Sequence, residues 1–186
     1  ILLGAATGMA LAVMVGVAQR LPGWLGQTAT LPHFTDLSSL LGPRDIATGL
    51  LAHQLDSVAA GLGFLLMLTL LRQLTRRTWA AVAIVMAILS VPEALVGIAP
   101  AAIAVLTNLV INGIAALVLV RCGLLACVVT LYVLNSVMMY PLTLDLTSWT
   151  ATPTLWLAAA VTGLAVYGFR TSLGGKPLFG SSLLDD

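Results

Sequence analysis

The feature that most restricts this chain is a series of long apolar stretches with nearly all of its charges confined to the gaps between them. A helix crossing the hydrocarbon of a bilayer needs about 20 mostly apolar residues. Such stretches run over 1–18, closed by Gln19 and Arg20, and over 46–71, closed by Arg72. Further ones run over 79–98, before a tight turn at Pro100, and over 101–120, closed by Arg121. The last two run over 123–140, closed by Pro141, and over 154–169, closed by Arg170. The expected fold is therefore all-α: a polytopic membrane protein with six transmembrane helices in one domain, 1–186. Strands are a poor alternative, because the apolar runs lack the alternation of an outer-membrane barrel. Helices also satisfy every backbone group internally, which lipid demands.

Composition agrees. Sixty per cent of the 186 residues are hydrophobic and 8% are charged, against about 25% charged in soluble domains. So little polarity cannot cover a soluble globule, which excludes a soluble enzyme, a secreted disulfide scaffold and a disordered tail. A net charge of +1 leaves no electrostatic footprint for nucleic acid. Cys122 and Cys127 sit five apart in an apolar run with no His or acid at ligand spacing, so both read as small packing residues and no metal is expected. The chain opens on an apolar run at Ile1 with no charged segment ahead of it, so the expectation is either a removed targeting segment or, in preference to that, the ordered part of a longer chain.

The basic residues give an orientation. Arg72, Arg76, Arg77, Arg121, Arg170 and Lys176 fall on one side of six alternating spans, and Arg20 and Arg44 on the other. The positive-inside rule then puts both termini in the cytoplasm, at a cell inner membrane. Trp79 falls at the inner interface, with Tyr140, Trp149 and Trp156 near the outer one. The longest connection, Arg20 to Asp45, carries Pro22, Pro32 and Pro43 among apolar residues, and is expected on the outer surface with a short interfacial helix at Thr35 to Leu41.

Ionisable groups inside spans are costly, and each is a candidate for function. His53 and Asp56 fall in the second span, Glu93 in the third, Asn108 and Asn112 in the fourth and Asn135 in the fifth. At about 1.5 Å per residue, Asp56, Glu93, Asn108 and Asn135 come out roughly 22, 21, 18 and 20 Å above the cytoplasmic ends, with His53 at about 27 Å. Four helices thus contribute to one polar layer, with Pro92 set to kink the third span beside it. Such a layer could hold a proton, an ion, a lipid headgroup or a quinone. The plain structural reading competes with this, since Asn side chains commonly bridge membrane helices at about 0.6 kcal/mol each. Gly4 and Gly8 form a GxxxG pair, a pattern that permits helix association. No HExxH, GxSxG or phosphate-binding Gly loop occurs, so no catalytic residue is assigned. No cofactor is expected beyond bound lipid.

The last third is the distinctive part. Arg121-Cys122-Gly123-Leu124-Leu125-Ala126 opens the fifth span, and Pro141-Leu142-Thr143-Leu144-Asp145-Leu146-Thr147-Ser148-Trp149 follows it. The sixth ends in Tyr167-Gly168-Phe169-Arg170, then Gly174-Gly175-Lys176-Pro177-Leu178-Phe179-Gly180. This segment resembles the C-terminal multi-span region attached to certain bacterial Ser/Thr protein kinases, with its Arg-x-Gly-Leu-Leu opening, Pro-Leu-Thr-x-x-x-Ser-x-Trp loop and Tyr-Gly-Phe…Gly-x-Pro-Leu-Phe ending. The resemblance covers about Arg121 to Gly180. Before that it is limited to the Arg-rich loop ahead of the third span, and Thr150 departs from the aromatic-Ala-Gly continuation after Trp149.

The resemblance implies a kinase ahead of Ile1 on the cytoplasmic side and no catalytic residue within this region. The leading expectation is a non-catalytic membrane module that anchors or senses for a cytoplasmic domain or partner. One alternative is an accessory subunit of a respiratory or photosynthetic complex. Another is a small transporter or membrane enzyme that uses His53, Asp56 and Glu93.

Overall fold

A computed structural model describes residues 1–24, 41–96, 101–140, 143, 145, 147 and 151–173, with the side chains of all of these but residues 22, 91–96, 101, 102 and 104. The described residues form six helices and no strand: α1 (Leu2–Trp24), α2 (Pro43–Thr75), α3 (Thr78–Val96), α4 (Ala101–Cys122), α5 (Leu124–Met139) and α6 (Ala151–Leu173). Four of them contain stretches long and apolar enough to cross a membrane: Leu2–Leu21, Pro43–Thr75, Val105–Cys122 and Ala151–Leu173. The apolar part of α3 described with side chains, Thr78–Ser90, and α5 are shorter.

The helices overshoot the apolar stretches that predict them. α1 continues through Arg20 to Trp24, and α2 begins at Pro43 and ends at Thr75. The reason is that a charge ends an apolar run without ending backbone hydrogen bonding. Pro43 suits the first turn, where its missing N–H has no intrahelical partner to lose. Pro153 sits in the first turn of α6 in the same way. α2, at 33 residues, is about 50 Å long against about 30 Å of hydrocarbon, so its charged ends extend beyond the apolar layer. The helix expected at Thr35 to Leu41 lies outside the described residues up to residue 40, as do the turn at Pro100 and the segment after Leu173.

The bundle is built around α5. Nine of its 16 residues are buried, including Cys127, Val133, Thr130 and Ser136 at 0% exposure. It packs against α1, α2, α4 and α6. At 16 residues, about 24 Å, it is shorter than the roughly 30 Å of hydrocarbon, and its first turn is exposed at Leu125.

Close backbone approach sets the α1–α5 contact. A Cβ on Gly4 would stand 2.5 Å from the Ala126 carbonyl oxygen, and one on Gly8 2.7 Å from that of Thr130. The Gly4–Gly8 pair is therefore consumed inside the bundle and is not free to pair a second copy. Between the two helices the Thr7 and Thr130 hydroxyls lie 2.8 Å apart, and Thr130 Oγ1 also reaches the carbonyls of Ala126 (2.8 Å) and Gly4 (3.1 Å).

The pairing of residues fixes the directions. Gly4 meets Ala126 and Gly8 meets Thr130, so α1 and α5 run parallel; Gly61 meets Val128 while Tyr140 meets Ile46, so α2 runs against α5. Gly168 meets Ile1, which sets α6 against α1. One end of the bundle thus carries Ile1, the α2–α3 turn with Arg72, Arg76 and Arg77, the α4–α5 junction with Arg121, and the end of α6 with Arg170. Arg20 and Arg44 are at the opposite end.

Candidate functional site

Four helices form a ring. α2 packs on α3, α3 on α4, α4 on α5 and α5 on α2, while the diagonals α2–α4 and α3–α5 are at most weakly in contact. A ring with open diagonals leaves space at its centre. A cleft of about 380 Å³ lies there, lined by Ala60, Gly63, Phe64 and Met67 of α2, Leu89 of α3, Asn112 and Ala115 of α4 and Leu131 of α5. Small residues make the space: Ala60, Gly63 and Ala115 stand where larger side chains would fill it. A Cβ added at Gly63 meets no atom within 4 Å. Ala60 and Gly63 are exposed, so the cleft opens to the outside of the bundle along α2.

The predicted polar layer is related to this cleft by helical register. Asp56 precedes Ala60 by four residues, Asn108 precedes Asn112 by four, and Asn135 follows Leu131 by four. Residues four apart share a helix face. Given the directions of these helices, each of the three positions lies one turn beyond the cleft, away from the arginine-rich end. Glu93 occupies the same register on α3, four residues after Leu89, and its side chain lies outside the described ones. On α2 the stripe Asp56, Ala60, Gly63, Met67 follows the spacing of a single helix face. Asp56 is exposed, and Asn108, Asn112 and Asn135 are half-buried. Asn108 has a polar or electrostatic partner. Among the described residues no ion pair reaches Asp56, and no three His, Cys, Asp or Glu side chains gather as a metal site would require.

His53 does not line the cleft. Its ring stands edge-on to Tyr140 at the end of α5, with centroids 5.7 Å apart and planes at 83°. Tyr140 donates a long hydrogen bond, 3.4 Å, to the Ile46 carbonyl, and Ser57 donates to the His53 carbonyl at 2.7 Å. Nε2 of His53 is buried with no hydrogen-bond partner among the described residues. His53 therefore belongs to the α2–α5 contact.

Phe64 and Met67 are cleft residues that sequence reasoning passes over, because an aromatic or Met in an apolar run is indistinguishable from packing. A second cleft, of about 370 Å³, lies between α2, α5 and α6, with an almost wholly apolar lining that includes Gln54, Tyr132 and Trp156. At the end of the molecule opposite the arginine-rich one, the Thr143–Thr147 loop is held by side chains. The Thr143 amide donates to Thr154 Oγ1 (3.1 Å), the Asp145 amide to Thr143 Oγ1 (3.1 Å), and the Thr147 hydroxyl (2.6 Å) and amide (3.0 Å) both donate to Asp145 Oδ1. The two Thr147 donors hold the Asp145 carboxyl below its usual range, hydroxyl first.

No family model, curated protein or solved structure matches this chain. The resemblance of the Arg121–Gly180 segment thus rests on its own residues.

Proposed function

We propose that this chain is a non-catalytic membrane module that anchors, and senses for, a cytoplasmic domain or partner, with a Ser/Thr kinase as the first candidate. The observation that supports this most is the gathering of Arg72, Arg76, Arg77, Arg121 and Arg170 at the end that also carries Ile1 and the end of α6. By the positive-inside rule that end faces the cytoplasm of a bacterial inner membrane. Anything joined at either terminus would then meet a basic surface next to anionic headgroups. The loop motif in the segment that resembles the kinase-attached membrane region has a structural use, since Thr143 ties the α5–α6 connection to Thr154.

A second reading, a subunit of a larger membrane complex, is favoured by the thin packing of α6. Its buried residues are Ala151, Pro153, Leu157 and Gly168, while Leu155, Trp156, Val166, Tyr167 and Phe169 are exposed.

The test is the intact mass of the native product isolated from membranes, with everything that remains bound after mild crosslinking. Kinase-like peptides contiguous with Ile1, or a cytoplasmic protein at fixed ratio, support the anchoring reading. A product of 19.3 kDa bound at fixed ratio to membrane subunits favours the second reading. The same product alone, with no cytoplasmic protein, overturns both.

A further inference from the structure

We propose that the cleft inside the α2–α5 ring binds an isoprenoid quinone, with the ring of the quinone inside and its tail leaving along α2. The proposal rests on the cleft and not on what is joined below the membrane.

Size comes first. A space of about 380 Å³ holds roughly a dozen non-hydrogen atoms at about 30 Å³ each, the share of one water in the liquid. That is a substituted six-membered ring, and it is far too little for a partner helix about 10 Å across. Chemistry comes second. The lining is apolar except for Asn112, and no described group hydrogen-bonds that amide. An amide in a dry cleft is satisfied by a ligand that carries a carbonyl oxygen. Phe64 and Met67 supply an aromatic ring and a thioether, both suited to a flat conjugated ring.

Spacing comes third. Two C=O bonds of about 1.23 Å added to a six-membered ring set the oxygens of a para-quinone about 5 Å apart. Asn112 and Asn108 are separated by one helical turn, about 5.4 Å. One carbonyl can accept from Asn112 while the other lies level with the layer of Asn108 and Asn135, whose side-chain amides are donors.

Position decides against other amphiphiles. The layer lies at hydrocarbon depth, where a phosphate headgroup is disfavoured, and the Asp56 carboxyl repels an anion. A diacyl lipid would need room for two tails, whereas the opening past exposed Ala60 and Gly63 lies along one helix. A single prenyl chain fits that exit.

The experiment uses the full chain in nanodiscs, titrated with a short-tailed benzoquinone analogue and, separately, with diacylglycerol, and read by native mass spectrometry. Gly63→Leu fills open space and Asn112→Leu removes the amide at similar volume. The expected result is a saturable adduct of one quinone per chain, weakened about tenfold or more in each variant, with no comparable diacylglycerol adduct. Thermal unfolding checks that both variants remain folded; at Gly63 a Cβ meets no atom within 4 Å, and Leu is the better helix former. Absence of a saturable quinone adduct overturns the proposal. So do equal adducts in parent and folded variants, and equal uptake of diacylglycerol, which would make the cleft a lipid-filled groove.

Discussion

Three glycines of this chain have opposite sensitivities, and the difference is a matter of neighbours. Gly4 and Gly8 are pressed on α5, so Gly4→Val or Gly8→Val forces α1 away from Ala126 and Thr130. Overpacking of this kind costs about 1–3 kcal/mol or more, to be read as a lower unfolding midpoint in detergent. Gly63 meets nothing, and Gly63→Ala should raise stability by up to about 1 kcal/mol through helix propensity. Asp145 gives a pH-dependent counterpart. Thr147 lowers its folded-state pKa, so the turn's contribution is fully present above the usual carboxylate range and is lost as pH falls through the depressed value. Thr147→Val should return the Asp145 titration toward that range, as followed by the carboxyl carbon shift in NMR. Asp145 is fully exposed, so the effect belongs to the loop and not to global stability.

At the level of helices, the apolar stretches define where each one lies in the chain, because lipid leaves a continuous apolar run few other options. Their ends are less legible. Arg20 ends the first apolar run, yet α1 goes on to Trp24, since charge reports the water boundary and not the last hydrogen bond. The centrality of α5 is not written in its apolarity, since α3, away from the centre, is more apolar still. It follows from long-range pairing of Gly4, Gly8 and Gly61 with Ala126, Thr130 and Val128. Residue counts put Asp56, Glu93, Asn108 and Asn135 at one expected height, whereas the cleft could not be read from the sequence, because a void is a property of several helices at once. Gly123 marks the sharpest local demand. With φ 87° and ψ 175° it separates α4 from α5 in a region open essentially to glycine. Gly123→Ala should cost about 1–3 kcal/mol, measured by the same unfolding assay, and should loosen the Arg121 junction.

For the whole molecule, the proposed orientation makes a prediction that needs no ligand. Single cysteines at Arg76 and at Arg44, in a chain with Cys122 and Cys127 replaced by Ala, should label from opposite sides of an inverted vesicle. An impermeant maleimide should reach the Arg76 site from the cytoplasmic face and the Arg44 site from the other. The reverse pattern would turn the basic end outward and remove the ground for a cytoplasmic partner there.

The position of α5 also bears on how the protein is made. Among the six described helices, the centre of the bundle is the fifth to leave the ribosome, and its closest partner, α1, precedes it by three others. About 120 residues separate Gly4 from Ala126, which at about 5–20 residues per second is roughly 6–24 s of synthesis. During that interval α1 to α4 wait in the bilayer with the faces that will meet α5 turned to lipid or to an insertion chaperone. The bundle then closes in one late step. A chain truncated before Gly123 is for that reason a natural substrate for membrane proteolysis, and one truncated after Tyr140 and released from the ribosome should already escape it.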